Sequence, residues 1–352
     1  MRRALVPAAV VVAVLAAGCG TTDSHGGAPN AGGPLRGLAQ RAGIAIGTAV
    51  DAGALSRDDG YRAELPREFS SVTPENAMKW AALEPERGKP DWAGADALVD
   101  FAGAHRMRVR GHTLVWYSQN PDWLTGGNFS RAELVGLLRA HIAAVVGRYR
   151  GRVGTWDVVN EPIADSGSGL RDSIWSQVIG PDYIATALRA ARAADPQAKL
   201  FINETAADGI GPKSDALYAL VKGLLAGHVP LDGVGFQMHA ELAHGLVPGV
   251  RRNFRRFAAL GLEVNVTEAD VAVKLPATAA DRGRQGEIYR EMLDDCLAVR
   301  ACRSFTVWGF TDRYSWIPTG EPGFGAATLL DDNLDPKPAY DAVARALRDD
   351  AR

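Results

Sequence analysis

The chain has 352 residues, 47% of them apolar and 23% charged, enough for one large domain or two ordinary ones with a full core. Its formal net charge is −2, with acidic and basic residues mixed along the sequence. No basic block marks a nucleic-acid binder and no acidic tail marks a disordered solubiliser, and a neutral substrate suits this balance.

The first residues are written for export. Arg2 and Arg3 precede an apolar stretch from Ala4 to Ala17, followed by Gly18 and Cys19. A charged start, a short apolar core and small residues predict a signal peptide over 1–19, too short for a comfortable transmembrane span. The ending "LAAGC" resembles the lipobox of bacterial lipoproteins, in which the cysteine becomes the lipidated first residue. That resemblance implies lipidation of Cys19 and a place on a bacterial cell surface. Ordinary cleavage nearby, with Cys19 incidental, is the plainer alternative. Residues 20–36 are Gly-rich and polar and predict a flexible tether, leaving 37–352 for the folded domain. Cys296 and Cys302, six residues apart in an exported chain, suggest a local disulfide; two reduced buried cysteines are the other reading.

Beyond the tether one theme repeats. A short apolar run ends in polar or aromatic residues, and a longer amphipathic segment follows. The runs fall near 42–50, 70–76, 108–116, 155–161, 199–204, 233–239, 263–270 and 304–312. Between them lie helical patterns such as 131–150 and 181–194, where Leu134, Leu137, Leu138, Ile142 and Val145 suit one helix face. Eight alternating strand and helix units predict a single (β/α)8 TIM barrel, closed by the helix in "DPKPAYDAVARALRDDAR". A doubly wound open sheet is the competitor, but no Gly-rich phosphate loop follows the first run.

In a barrel the chemistry sits at the carboxyl ends of the strands. Those ends supply Glu75, Asn76 and Lys79; His112 and Trp116; Asn160 and Glu161; Gln237 and His239; Glu268 and Asp270; Trp308 and Trp316. Flat aromatic faces beside amides, carboxylates and a cation suit neutral sugars. Cleaving a glycosidic bond further needs an acid for the leaving oxygen and a carboxylate across the ring. Glu161 and Glu268, closing the fourth and seventh runs, are the candidates, against the alternative that each is a structural ion-pair member.

Other residues invite plainer readings. Trp156 suits the core and Trp123 the packing of a loop. His105 and His141 lie in helical segments as surface or packing residues. His239 and His244 are five apart, without the spacing of a helical metal pair and without an evident third ligand. No metal site is expected.

The segments "GTAVDAGAL", "SSVTPENAMKW", "RGHTLVWYSQNPDWL", "WDVVNEP", "GVGFQMH", "VTEADV", "TVWGFTDRYSW" and "DPKPAY" occur in this order. From about Gly47 to Tyr340 the chain resembles the family 10 glycoside hydrolases, a family of endo-β-1,4-xylanases. The resemblance implies that Glu161 is the general acid/base and Glu268 the nucleophile of a retaining hydrolysis of xylan through a covalent glycosyl-enzyme intermediate. It implies that Asn160 meets the 2-hydroxyl, while His239 and Asp270 form a hydrogen-bond chain to Glu268. Gln237, His112 and Trp116 would wall the cleaved sugar. Glu75, Asn76 and Lys79 would bind the next sugar on the non-reducing side, with Trp308 and Trp316 as floor and lid. Two carboxylates carry such a reaction, so no cofactor is expected, and a monomer suits an enzyme that attacks a polymer. For Asp157 two roles stand level: electrostatic shaping near Glu161, or a structural acceptor.

The resemblance frays at two places. The family continues its fifth strand with Asn-Asp-Tyr-Asn, whereas this chain has Asn203, Glu204, Thr205 and Ala206. A weaker leaving-group site is expected. Ala269 replaces a usual leucine beside Glu268. Two rival functions follow: another endo-β-1,4-glycanase activity, on cellulose or mixed-linkage glucan, or a surface lipoprotein that binds glycan without cutting it.

Overall fold

The structure, a computed structural model, describes residues 33–350. The expected signal peptide with Cys19, and residues 20–32 of the expected tether, lie outside the described residues. The end of that tether needs correction. Leu35–Ala42 is a helix. Leu35 is fully buried, and its N–H donates to Glu68 Oε2 at 2.8 Å. The Arg36 guanidinium donates to the carbonyls of Pro66 and Arg106 at 2.9 and 3.0 Å. An apolar side chain in the core and an arginine satisfied by carbonyls belong to the folded body, not to a solvated linker.

Eight strands form the barrel: β1 (Ala45–Val50), β2 (Ser71–Pro74), β3 (Arg108–Val115), β4 (Thr155–Asn160), β5 (Lys199–Glu204), β6 (Gly233–Phe236), β7 (Glu263–Lys274) and β8 (Cys302–Val307). Each pairs in parallel with the next. The ring closes where β1 pairs with β8, Ala45 opposite Ser304 and Thr48 opposite Val307. That closure rules out the open sheet. Nearly every strand residue is buried, as expected for parallel strands covered on both faces.

Glycines make room for the largest interior side chains. Gly111 of β3 lies opposite Trp156 of β4, and a Cβ there would sit 2.2 Å from the indole. Gly233 of β6 lies opposite Phe201 of β5, with the same consequence at 2.3 Å. Trp156 is therefore a core residue, as its sequence position suggested.

The helices are delimited by their caps. Ser130 and Glu133 form a capping box at the start of Arg131–Arg148, and Thr278 and Asp281 form another before Ala279–Leu297. Leu134, Leu138, Ile142 and Val145 face the core, while Leu137 is only partly buried. His141 joins that core face and stacks on Trp80 at 3.6 Å between centroids. Burial pushes its pKa down to about 3, so it packs as a neutral ring. His105 is exposed. The Trp123 indole N–H donates to the Glu84 carbonyl at 2.9 Å, which ties down its loop. Cys296 and Cys302 are disulfide-bonded, joining the end of one helix to the start of β8. Pro338–Asp349 is the closing helix.

Candidate active site

Regular strands alternate their side chains between two faces. The mouth of the barrel breaks that rule where it matters. β4 ends at Asn160, and Glu161 then takes a left-handed conformation with φ 52°. Its N–H stays bonded to the Asn203 carbonyl at 2.8 Å. This turn brings the consecutive side chains of Asn160 and Glu161 into one polar cluster. Met238 does the same after β6, with φ 62°, so that Gln237 and His239 both reach the site. The left-handed region is unfavourable for such residues by about 1–2 kcal/mol, and surrounding structure must hold them there. For Met238 the holder is buried Asp208, whose Oδ1 accepts its N–H at 3.2 Å. Burial raises the Asp208 pKa to about 6.

Amides join the two candidate carboxylates. Glu161 Oε1 accepts from Gln237 Nε2 at 2.9 Å and from Asn160 Nδ2 at 3.1 Å. Asn203 Nδ2 donates to Asn160 Oδ1 at 2.8 Å and to Glu268 Oε1 at 2.6 Å. Thr267 Oγ1 donates to Asn203 Oδ1 at 2.7 Å and so fixes which way that amide faces. Asn160, Asn203 and Gln237 thus form a rigid bridge from Glu161 to Glu268. This is what welcomes a glutamate at the end of an apolar strand.

His239 stands between two carboxylates. Its Nε2 is 3.2 Å from Glu268 Oε2, and its Nδ1 is 2.9 Å from Asp270 Oδ1. Asp270 Oδ2 accepts the Trp316 indole N–H at 2.8 Å. Burial disfavours a charged imidazole, but Asp270 and then Glu268 outweigh it and hold the His239 pKa well above the usual value. Burial likewise pushes Glu268 up, and the His239 hydrogen bond with the nearby histidine charges brings it below the usual value. The chain Trp316–Asp270–His239–Glu268 keeps one carboxylate ionised and oriented.

The residues expected on the glycone side lie in contact with one another. Asp157, buried on β4, accepts from Arg110 Nε and Nη2 and lies 3.0 Å from His112 Nδ1. It is a structural acceptor that fixes His112, and its charge also acts on Glu268, so both readings left open for it hold a part. Burial opposes the Asp157 charge, and Arg110 and His112 together keep its pKa low. The edge of His112 meets Trp308, centroids 5.2 Å apart. Lys79 Nζ donates to Asn76 Oδ1 at 2.9 Å and lies 5.0 Å from the Trp116 ring centroid. Asn76 Nδ2 in turn donates to Glu75 Oε1 at 3.3 Å. Burial, then the charge of Asp51, raises the Glu75 pKa to about 7.

The other side is different. Glu204 does not face the mouth. It is fully buried, accepting from the Ile163 N–H at 2.9 Å and the Thr205 N–H at 3.1 Å, with Lys213 Nζ at 3.2 Å. Burial raises its pKa to about 7. Lys213 also reaches Asp165 at 2.9 Å, and Asp165 binds Arg171, whose Nε donates to the Glu161 carbonyl at 3.2 Å. Thr205 is partly buried and Ala206 exposed, with φ 51°. Ala269 is fully buried in the core. His244 is exposed, 3.2 Å from Glu241.

Sequence reading named neither Asn203 nor Asp208 as site members, and it missed Arg110, Arg171 and Lys213. Asn203 stands next to the end of β5, directly after "FI", a signal like the one that marked Glu161. The others act through partners far away in sequence, which no local pattern reveals.

A closed barrel with two buried carboxylates, bridged by amides and walled by indoles at the carboxyl ends of its strands, defines the class of carbohydrate-cleaving barrel enzymes. Comparison with known proteins narrows this. The family model "Glycosyl hydrolase family 10" matches residues 34–346, and the chain belongs to that family. It is 42% identical to endo-1,4-beta-xylanase B of Thermotoga neapolitana over 319 residues, 90% of this chain and 92% of that protein. It is 44% identical to an endo-1,4-beta-xylanase of Agaricus bisporus over 88% of this chain and 93% of that protein. The crystal structure of xylanase 10B from Thermotoga petrophila in complex with xylobiose superposes with a TM-score of 0.88, at 42% identity, covering 91% of this chain and 98% of the other.

Proposed function

We propose that the chain is a retaining endo-1,4-β-xylanase. The observation that carries the reading is the carboxylate pair itself, with Glu161 and Glu268 joined through Asn160, Asn203 and Gln237 and backed by His239. The relatives' activities and the xylobiose complex support xylan as the polymer.

In the first step Glu161 gives its proton to the glycosidic oxygen while a Glu268 oxygen attacks the anomeric carbon. The leaving sugar departs with the proton, and an ester joins Glu268 to the remaining chain. In the second step Glu161 takes a proton from water, the hydroxide oxygen attacks the same carbon, and Glu268 leaves as a carboxylate. Asn160 sits between the two carboxylates, where it can donate to the 2-hydroxyl. Lys79, Asn76, Glu75 and Trp116 hold the sugar on the non-reducing side, and Trp308 and Trp316 cover it. No step requires a cofactor. The export signal and Cys19 support action outside the cell from a lipid anchor, and a monomer suits an enzyme that attacks a polymer.

The deciding experiment measures reducing ends released from xylan by wild type and Glu268→Ala, beside carboxymethyl cellulose. Release from xylan, falling about 10⁴-fold or more in the variant, is expected on the scale at which loss of a reacting group is felt. Faster release from carboxymethyl cellulose would move the activity to glucan. Binding to xylan with no release by wild type would make the protein a glycan-binding one.

A further inference from the structure

At the opposite end of the barrel from the carboxylates, the starts of β1 to β5, β7 and β8 surround a cavity of about 1010 Å³. Seven arginine and lysine side chains line it, against a single carboxylate, Glu263. This is a local excess of positive charge on a chain whose formal net charge is −2. Most of the seven are engaged. Arg110 is held by Asp157, Arg152 by Asp100, Lys199 by Glu263, and Arg36 by backbone carbonyls. Arg106, Arg108 and Arg303 are exposed, and their side chains have no partner among the described residues.

Three unpaired, exposed guanidiniums around one concavity concentrate positive charge there, which an anion would neutralise. Guanidinium forks match the oxygen geometry of phosphate. We propose that this cavity takes the headgroup of an anionic phospholipid and so seats the base of the barrel on a membrane surface. The reading goes beyond catalysis and does not depend on it. Two further observations select a lipid over a free anion. The described chain begins at this end, since Arg36 and Gln40 of the first helix border the cavity. Cys19, in its lipobox-like setting, precedes Leu35 by only sixteen positions in the sequence. One acyl signal and one basic patch are the two-part combination that gives stable attachment. A base seated in this way leaves the carboxylate end of the barrel turned to the polymer.

The test titrates the full chain by calorimetry with water-soluble dibutanoyl phosphatidylglycerol, dibutanoyl phosphatidylcholine and inorganic phosphate. These probes separate headgroup recognition from any apolar anchoring. Saturable binding of phosphatidylglycerol alone is expected, weakened by salt. It should fall at least about tenfold in the Arg106→Ala/Arg108→Ala/Arg303→Ala variant, given the usual contribution of each basic residue. Xylan hydrolysis and the melting temperature should not change. Arg303→Ala alone should give an intermediate loss, which protects the test against misfolding of the triple variant. No binding of phosphatidylglycerol, or binding unchanged in both variants, overturns the proposal. Equal binding of inorganic phosphate overturns the lipid assignment and leaves a general phosphate site.

Discussion

The two sides of the carboxylate bridge are built on different terms. On the non-reducing side charged and aromatic groups face the mouth. Lys79 is buried against Trp116 and reaches Asn76, and Asn76 reaches Glu75. On the leaving-group side the charges pair with one another, Glu204 and Lys213 buried and Asp165 exposed. Glu204, Lys213, Asp165 and Arg171 satisfy one another and hold the backbone of Glu161, while Thr205 and Ala206 offer little to a sugar. In the proposed function one side would recognise substrate and the other would support the acid. The difference teaches that charged residues near a cleft are not all ligands, since orientation decides which of them meet substrate.

The largest break in this picture would come from Glu161→Ala. Loss of the general acid should lower kcat/KM on xylan by about 10²- to 10⁴-fold. The first step on xylobiosyl fluoride, whose leaving group needs no proton, should keep most of its rate. Equal losses on both substrates would mean that Glu161 does not serve the leaving group. Next in size, Lys79→Ala removes a buried cation from the recognising side. It should lower kcat/KM on xylo-oligosaccharides about tenfold or more, because hydrogen bonds to charged groups contribute roughly 1.5–3 kcal/mol. A smaller gain is expected from Thr205→Tyr, which gives the bare side an aromatic face. An increase of about two- to tenfold in kcat/KM on long oligosaccharides would match the usual strength of aromatic contacts. If that gain exceeds the Lys79 loss, the two sides have been ranked in the wrong order.

The smallest effect concerns stability. The folded-state pKa of Glu204 is about 7, above the 4.5 of a free glutamate, so the folded chain binds this proton more tightly than the unfolded one. The resulting stability is present in full at acid pH and is lost as pH rises from about 4.5 through about 7. Glu204→Gln should flatten that decline, seen as a smaller drop in melting temperature between pH 5 and pH 8. An unchanged drop would place the titration elsewhere, with Glu75 the next candidate because its pKa is also raised to about 7.

Much was legible without coordinates. Eight apolar runs became eight strands because parallel strands buried on both faces must be apolar, and that requirement is written locally. The ends of those runs named Glu161, Glu268, His239 and the glycone residues, because a polar group after an apolar strand has few places to go except the mouth. Leu35 was misplaced because a Gly-rich approach hid a helix whose anchor, Glu68, lies 33 residues away.

The sequence by itself determined the barrel and pointed to the two candidate carboxylates at its strand ends, since periodicity and residue type act over a few neighbours. Only the tertiary structure decided that Glu204 faces the core, that Asp157 serves His112, and that Asn203 ties Glu161 to Glu268. The same holds for Arg106, Arg108 and Arg303, which meet at one cavity although 197 positions separate the first from the last. Charge pairing and burial depend on where distant strands converge, and barrel closure, not local pattern, sets that.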